Sequence, residues 1–178
     1  NLQIGKGNSF HTVLTHLHET GVKNPNIVEV GAIRGDLGGG PDGDGWATIA
    51  WAWYCKEYGG TVHTIDYDVP RLDESKKVTK EYEDVIQYHL GLGSNVLKDF
   101  PDKIDLLYLD GGHDTNEMVQ EYEAAKDKLS AKSFILLDAI PHNWPQAGKG
   151  AKIIPHLKKN GWEVVFHNTN PCGPAGGP

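Results

Sequence analysis

Cysteine is nearly absent: Cys55 and Cys172 are the only two in 178 residues. One falls in a segment with helical spacing and the other in the terminal tail, so a disulfide framework has nothing to build on and a reducing cytoplasm is the compartment that fits. Long apolar runs are also lacking. None approaches the roughly 20 residues of a membrane span, and no signal-peptide pattern opens the chain. The first residue is Asn rather than Met, which suggests a removed leader or tag. Basic clusters stop at the pairs Lys76-Lys77 and Lys158-Lys159, and the formal net charge is −7. Nucleic-acid binding depends on Lys and Arg neutralising phosphates, so this charge argues against a polyanion partner. Homodimerisation stays open.

What is present reads as a globular domain, with 38% hydrophobic and 23% charged residues. A chain of this length buries about 70% of its unfolded surface, so residues 1–178 form one domain that needs neither disulfide nor metal to fold. Phe10, Val13, Leu14 and Leu17 repeat at helical spacing and Gly21 ends that helix. A strand follows at Ile27–Val30, then a glycine-rich loop from Asp36 to Gly45, which should be mobile when empty. Trp46, Ile49, Ala50 and Trp53 restore helical spacing before the strand Thr61–Asp66. A helix near Asp73–Glu83, a strand Val85–His89, a short helix led by Ser94 and a strand Ile104–Asp110 continue the alternation. Asp114 caps the next helix, whose apolar face carries Met118, Tyr122 and Leu129. Strands Ser133–Asp138 and Trp162–Phe166 flank a helix in which Pro155 marks a kink or the first turn. Residues 169–178 read as an irregular tail. Strands alternating with helices give a Rossmann-like, doubly wound, mostly parallel sheet of six or seven strands with helices on both faces.

In such a sheet ligands bind outside the carboxyl ends of the strands. Each of those ends carries glycine or polar residues here: Glu29 and Gly31, Asp66, Gly91 to Ser94, Asp110 and His113, Asp138 and His142. A glycine where strand becomes loop lets backbone press against a ligand, and an acid ending the next strand can accept hydrogen bonds from both ribose hydroxyls. Gly31 and Asp66 meet those needs, which points to an adenosine-containing cofactor.

Taken in order, Glu-x-Gly-x-x-x-Gly at Glu29 to Gly35, Thr-Ile-Asp at Asp66, Gly93-Ser94, Leu-Asp-Gly-x-His at Leu109 to His113 and Leu-Leu-Asp at Asp138 resemble class I S-adenosylmethionine-dependent methyltransferases. The nearest likeness is to small O-methyltransferases of the catechol and antibiotic-sugar type. This resemblance implies methyl transfer from S-adenosyl-L-methionine to a hydroxyl of a small-molecule acceptor. It implies that Glu29, Gly31, Ala32 and Gly35 surround the amino-acid end of the cofactor, Asp66 holds the ribose, Gly93 and Ser94 border the adenine, and Asp110 lies near the transferred methyl.

Departures from the family pattern leave alternatives open. Ala139 stands where metal-dependent relatives carry a second carboxylate or an amide, so a Mg²⁺ or Mn²⁺ ion would rest on Asp110 and Asp138, which end adjacent strands. Asp42-Gly43-Asp44-Gly45 has some character of a calcium loop. The family's sheet ends in a hairpin, of which only one strand is legible. A neutral imidazole can take the acceptor's proton near pH 7, which makes His113 the first candidate base and His142 the second. Trp46, Trp51 and Trp53 read as core, and Trp144 as a pocket residue. An NAD-dependent oxidoreductase also uses an acid at the second strand end, although Gly-x-Gly-x-x-Gly is absent; a non-catalytic cofactor-binding module is the third reading.

Overall fold

A computed structural model describes residues 8–33, 47–111, 114–138 and 148–165. Among them, helices and strands alternate in chain order: α1 (Asn8–Glu19), β1 (Asn26–Val30), α2 (Ala47–Tyr58), β2 (Thr61–Asp66), α3 (Val69–Val78), β3 (Ile86–Leu90), α4 (Gly93–Asp99), β4 (Ile104–Leu109), α5 (Thr115–Ala125), β5 (Leu129–Leu137) and α6 (Gly150–Lys159). The strands form one sheet in the order β3-β2-β1-β4-β5, and each neighbouring pair is parallel. The chain therefore reverses direction of travel across the sheet between β1 and β4. That crevice is where an open sheet of this kind accepts a ligand.

Strand alternation divides the core in two. Ile27 of β1 and Leu106 and Tyr108 of β4 face α1 and α2, where Leu14, Leu17, Trp51 and Tyr54 are buried. Val28, Val30, Leu107 and Leu109 face the other way, toward Leu97, Met118, Tyr122, Ile153 and Leu157 of α4, α5 and α6. Each large apolar side chain so buried contributes about 1.5–3 kcal/mol. Trp51, expected to pack in the core, is fully buried with its ring 4.9 Å from Phe10 and 5.6 Å from Tyr108.

The sheet corrects the expected strand count: five strands form among the described residues, not six or seven. Residues 162–165, expected to begin the last strand, take no regular structure and do not pair with β5. Three other differences have local causes. The helix expected near Asp73–Glu83 starts earlier, because Asp68 Oδ1 accepts the Arg71 amide hydrogen at 3.1 Å and Pro70 suits a first turn; it stops at Val78, and a 3₁₀ turn covers Lys80–Tyr82. Leu129 belongs to β5 rather than to α5. The pairing of β5 with β4 shifts register between Ile104 and Leu106, and Ser133 Oγ stabilises the irregular stretch by accepting from the Ser130 amide at 2.8 Å and donating to the Ile104 carbonyl at 2.6 Å. Pro155 lies in the second turn of α6, inside the helix rather than at its start. No helix among the described residues is long and apolar enough to cross a membrane.

Candidate functional site

Beyond the carboxyl ends of the strands, backbone hydrogen bonds prolong the sheet. Gly31 donates to Ile65 and Asp110 to Val30, each at 2.9 Å, and Asp138 to Leu109 at 3.1 Å. Gly31 has φ +101, and a Cβ there would lie 3.1 Å from the backbone of Asp110 and Gly111; only glycine lets the first and fourth loops approach this closely. Asp66 is held by two backbone donors, its Oδ2 accepting from Ala32 at 3.1 Å and its Oδ1 from Asp68 at 2.9 Å. Each carboxylate oxygen retains a second acceptor position. The carboxylate is thus fixed in place before any ligand arrives.

Gly31, Asp66, Gly93 and Ser94 line one cavity of about 120 Å³, at which Gly91 and Gly111 also end. Ligand pockets usually span about 300–1,000 Å³, so the described walls enclose less than the volume of a usual ligand pocket. Two wall residues are apolar yet exposed, Tyr67 by 60% and Leu92 by 55%. They present hydrophobic surface to the cavity. Glu121 of α5 closes another wall with a buried carboxyl.

Glu29 occupies a different position. Alternation turns its side chain toward α2, where Thr48 donates to Oε2 at 2.6 Å, and Thr64 of the neighbouring β2 donates to the same oxygen at 3.1 Å. Burial, opposed by these two hydrogen bonds and reinforced by the charge of Asp110, pushes its carboxyl up to about 8. The Trp51 indole also favours the charged form, though its Nε1 is not aligned to donate a hydrogen bond of ordinary geometry. Glu29 therefore stands beneath the first loop, outside the cavity lining.

At the ends of β4 and β5 the chemistry is ionic. Asp110 and Asp138 interact closely enough that burial first, then the Asp138 charge, push the Asp110 carboxyl up to about 7; Lys149 opposes this. Lys149 Nζ lies 3.3 Å from Asp110 Oδ1 and the Tyr108 hydroxyl donates to Oδ2 at 3.4 Å. The ammonium is 12% exposed and stands at the N-cap of α6, the positive end of a helix, where a cation needs an anion beside it. Among the described residues no three His, Cys, Asp or Glu side chains gather as a metal-binding group. Two carboxylates with an ammonium already against one of them do not match an oxygen-rich divalent-cation site.

This edge is the ligand-binding end of a parallel α/β sheet, and the sequence identifies its family by matching the methyltransferase domain over residues 43–140, more than half of the chain. The chain belongs to the methyltransferase domain family. Its fold is that of class I S-adenosylmethionine-dependent methyltransferases. A Staphylococcus aureus structure assigned as a putative caffeoyl-CoA O-methyltransferase matches 93% of this chain and 82% of its own length, with TM-score 0.65 and 15% identity. The cofactor-bound Rv0187 from MTB matches 91% of the chain and 72% of its own length, with TM-score 0.65 and 16% identity. The S-adenosylhomocysteine-bound methyltransferase PaMTH1 of Podospora anserina matches 78% of the chain and 53% of its own length, with TM-score 0.58 and 19% identity. At these identities the likeness speaks to the fold. No curated protein sequence matches the chain.

Of the residues expected at the site, the domain gathers Gly31, Asp66, Gly93 and Ser94 around the cavity, keeps Ala32 as an amide donor to Asp66, and sets Asp110 with Asp138 beside Lys149. Gly35, His113, His142, the loop from Asp36 to Gly45, Ala139, Trp46, Trp144 and the tail 169–178 lie outside the described residues. Sequence reasoning missed Glu121, Tyr67, Leu92 and Lys149. The signal for Glu121 was an acid three residues after Met118 and beside Tyr122, on the apolar stripe of α5. For Lys149 it was a cation at a helix start.

Proposed function

We propose that this methyltransferase domain binds S-adenosyl-L-methionine across the carboxyl ends of β1, β2 and β3 and transfers its methyl group to a hydroxyl oxygen of a small molecule. The observation that carries the reading is the shared cavity of Gly31, Asp66, Gly93 and Ser94 in a chain of this family. The residues suit the cofactor: a carboxylate clamped by two amides for ribose hydroxyls, glycines that admit close approach, and Tyr67 and Leu92 for the faces of a purine. When bound, the cofactor supplies an electrophilic methyl carbon on a positively charged sulfur.

Catalysis by the domain's own residues is chiefly positioning, since in-line displacement demands close alignment of acceptor oxygen and methyl carbon. Asp66 and the glycine loops hold one reactant, while Asp110, Asp138 and Lys149 frame the neighbouring space at β4 and β5. His113 is the proposed proton acceptor and His142 the second choice. No step here uses a metal. A net charge of −7 favours a small acceptor over nucleic acid, and the near absence of cysteine favours the cytoplasm. A methyl-transfer screen with labelled cofactor against small hydroxylated compounds tests the reading. Cofactor binding without transfer to any hydroxyl would leave a binding module, and transfer only to nitrogen or carbon acceptors would refute the O-specificity.

A further inference from the structure

One polar wall of the cavity has no duty in the reaction just described. Glu121 is 6% exposed, and its Oε2 has no hydrogen-bond partner among the described residues. Its carboxyl reaches across to the loop after β3, since a Cβ added to Gly93 would lie 2.6 Å from Oε1. Glu29 gives the comparison: it is as deeply buried, but two threonines donate to it. A buried carboxyl without a partner is costly, and it persists where something outside the fold supplies the missing donor. Burial, then repulsion from Glu117, push its carboxyl up to about 7 against the pull of Lys149. The carbonyl oxygen of the acid and either oxygen of the carboxylate can accept a hydrogen bond, so the capacity to accept survives titration.

The other walls identify what would meet it. Asp66 is fixed to accept from hydroxyls, Tyr67 and Leu92 are exposed apolar surfaces, and Glu121 lines the same cavity beside Gly93, within reach of a base whose sugar would lie on Asp66. We infer that Glu121 accepts a hydrogen bond from the exocyclic amine of the cofactor's adenine and thereby selects a 6-aminopurine nucleoside. This rests on the proposal that the cavity holds an adenosine cofactor, and it adds a specificity residue contributed by α5 rather than by a strand-end loop.

Calorimetric titration with S-adenosylhomocysteine and with its 6-desamino analogue, in which hydrogen replaces the amine, tests it. The domain should prefer the amino ligand by about tenfold or more, as expected for a hydrogen bond to an ionisable group. Glu121→Gln, which keeps an acceptor oxygen, should retain the preference, and Glu121→Met should abolish it while circular dichroism shows an intact fold. If Glu121→Met does not fold, Glu121→Asp, one methylene shorter, should lose most of the preference instead. Equal affinity of the wild-type domain for the two ligands, or an undiminished preference in a folded Glu121→Met or Glu121→Asp variant, overturns the adenine contact alone. Failure of both ligands to bind the wild-type domain overturns the cofactor reading with it.

Discussion

At the carboxyl ends of β1, β2 and β3 the chain builds with backbone: Gly31, Gly91 and Gly93 turn the loops, and two amides fix the Asp66 carboxylate. At the ends of β4 and β5 it builds with charge, setting Asp110 and Asp138 together with Lys149. The first arrangement is held in place by backbone hydrogen bonds. The second depends on a balance of opposite charges and changes when any member is protonated or removed. A cofactor that is common to many reactions suits the first, and an acceptor whose proton must leave suits the second.

The largest effect should come from breaking the backbone-built half. Asp66→Ala removes the proposed ribose acceptor and is expected to weaken S-adenosylhomocysteine by about 1.5–3 kcal/mol, the scale of hydrogen bonds to a charged group. Calorimetry reads it, with circular dichroism confirming the fold, because the Ala32 and Asp68 amides lose their acceptor as well. An unchanged affinity would remove Asp66 from the site.

Gly93→Ala sharpens the same half. Its Cβ would lie 2.6 Å from Val30 Cγ1 and from Glu121 Oε1, so overpacking should lower stability by about 1–3 kcal/mol in denaturant unfolding. An unaltered unfolding midpoint would show that α4 shifts freely, and that the cavity is less rigid than its glycines imply.

These glycines and Asp66 were legible in the sequence because their types answer a backbone requirement at a strand end, and strand ends follow from short apolar runs. The charge-built half was legible only in part. Asp110 and Asp138 stood at strand ends and their mutual repulsion called for a proton, a metal or another cation, but nothing in the spacing marked Lys149 as that cation. Glu121 was hidden by its neighbours, since helical spacing reads Met118 and Tyr122 as core and the acid between them as solvated. The sixth strand failed for a different reason: Trp162, Val164 and Val165 have strand propensity, but a strand forms only where an edge pairs with it, and β5 does not pair with them.

Lys149→Met tests the charge-built half. Unopposed repulsion from Asp138 should raise Asp110 above about 7, and the loss of a partly buried ion pair should lower stability by about 1–2 kcal/mol. Methyl transfer should fall while S-adenosylhomocysteine affinity stays within about threefold, because the Lys149 charge reaches the cavity at Glu121, which can accept a hydrogen bond in either protonation state. An equal loss in Asp66→Ala and Lys149→Met of affinity and turnover would erase the distinction between the halves.

The smallest effect at acid pH belongs to Glu29→Gln. Glu29 is raised from 4.5 in the unfolded chain to about 8 in the folded one, so its contribution to stability is full below about 4.5 and is lost as pH rises through about 8. Glutamine imitates the protonated acid. The variant should match the wild type within about 1 kcal/mol at pH 4 and unfold at higher denaturant than the wild type at pH 9. A constant difference across that range would mean that Glu29 is ionised throughout.

The central claim is that the backbone-built end receives S-adenosylmethionine, and parallel calorimetric titrations with S-adenosylhomocysteine and NADH test it most directly. The account predicts saturable binding of S-adenosylhomocysteine at one site per chain, abolished or much weakened by Asp66→Ala, and no heat of binding from NADH. Saturable binding of NADH with none of S-adenosylhomocysteine would contradict it.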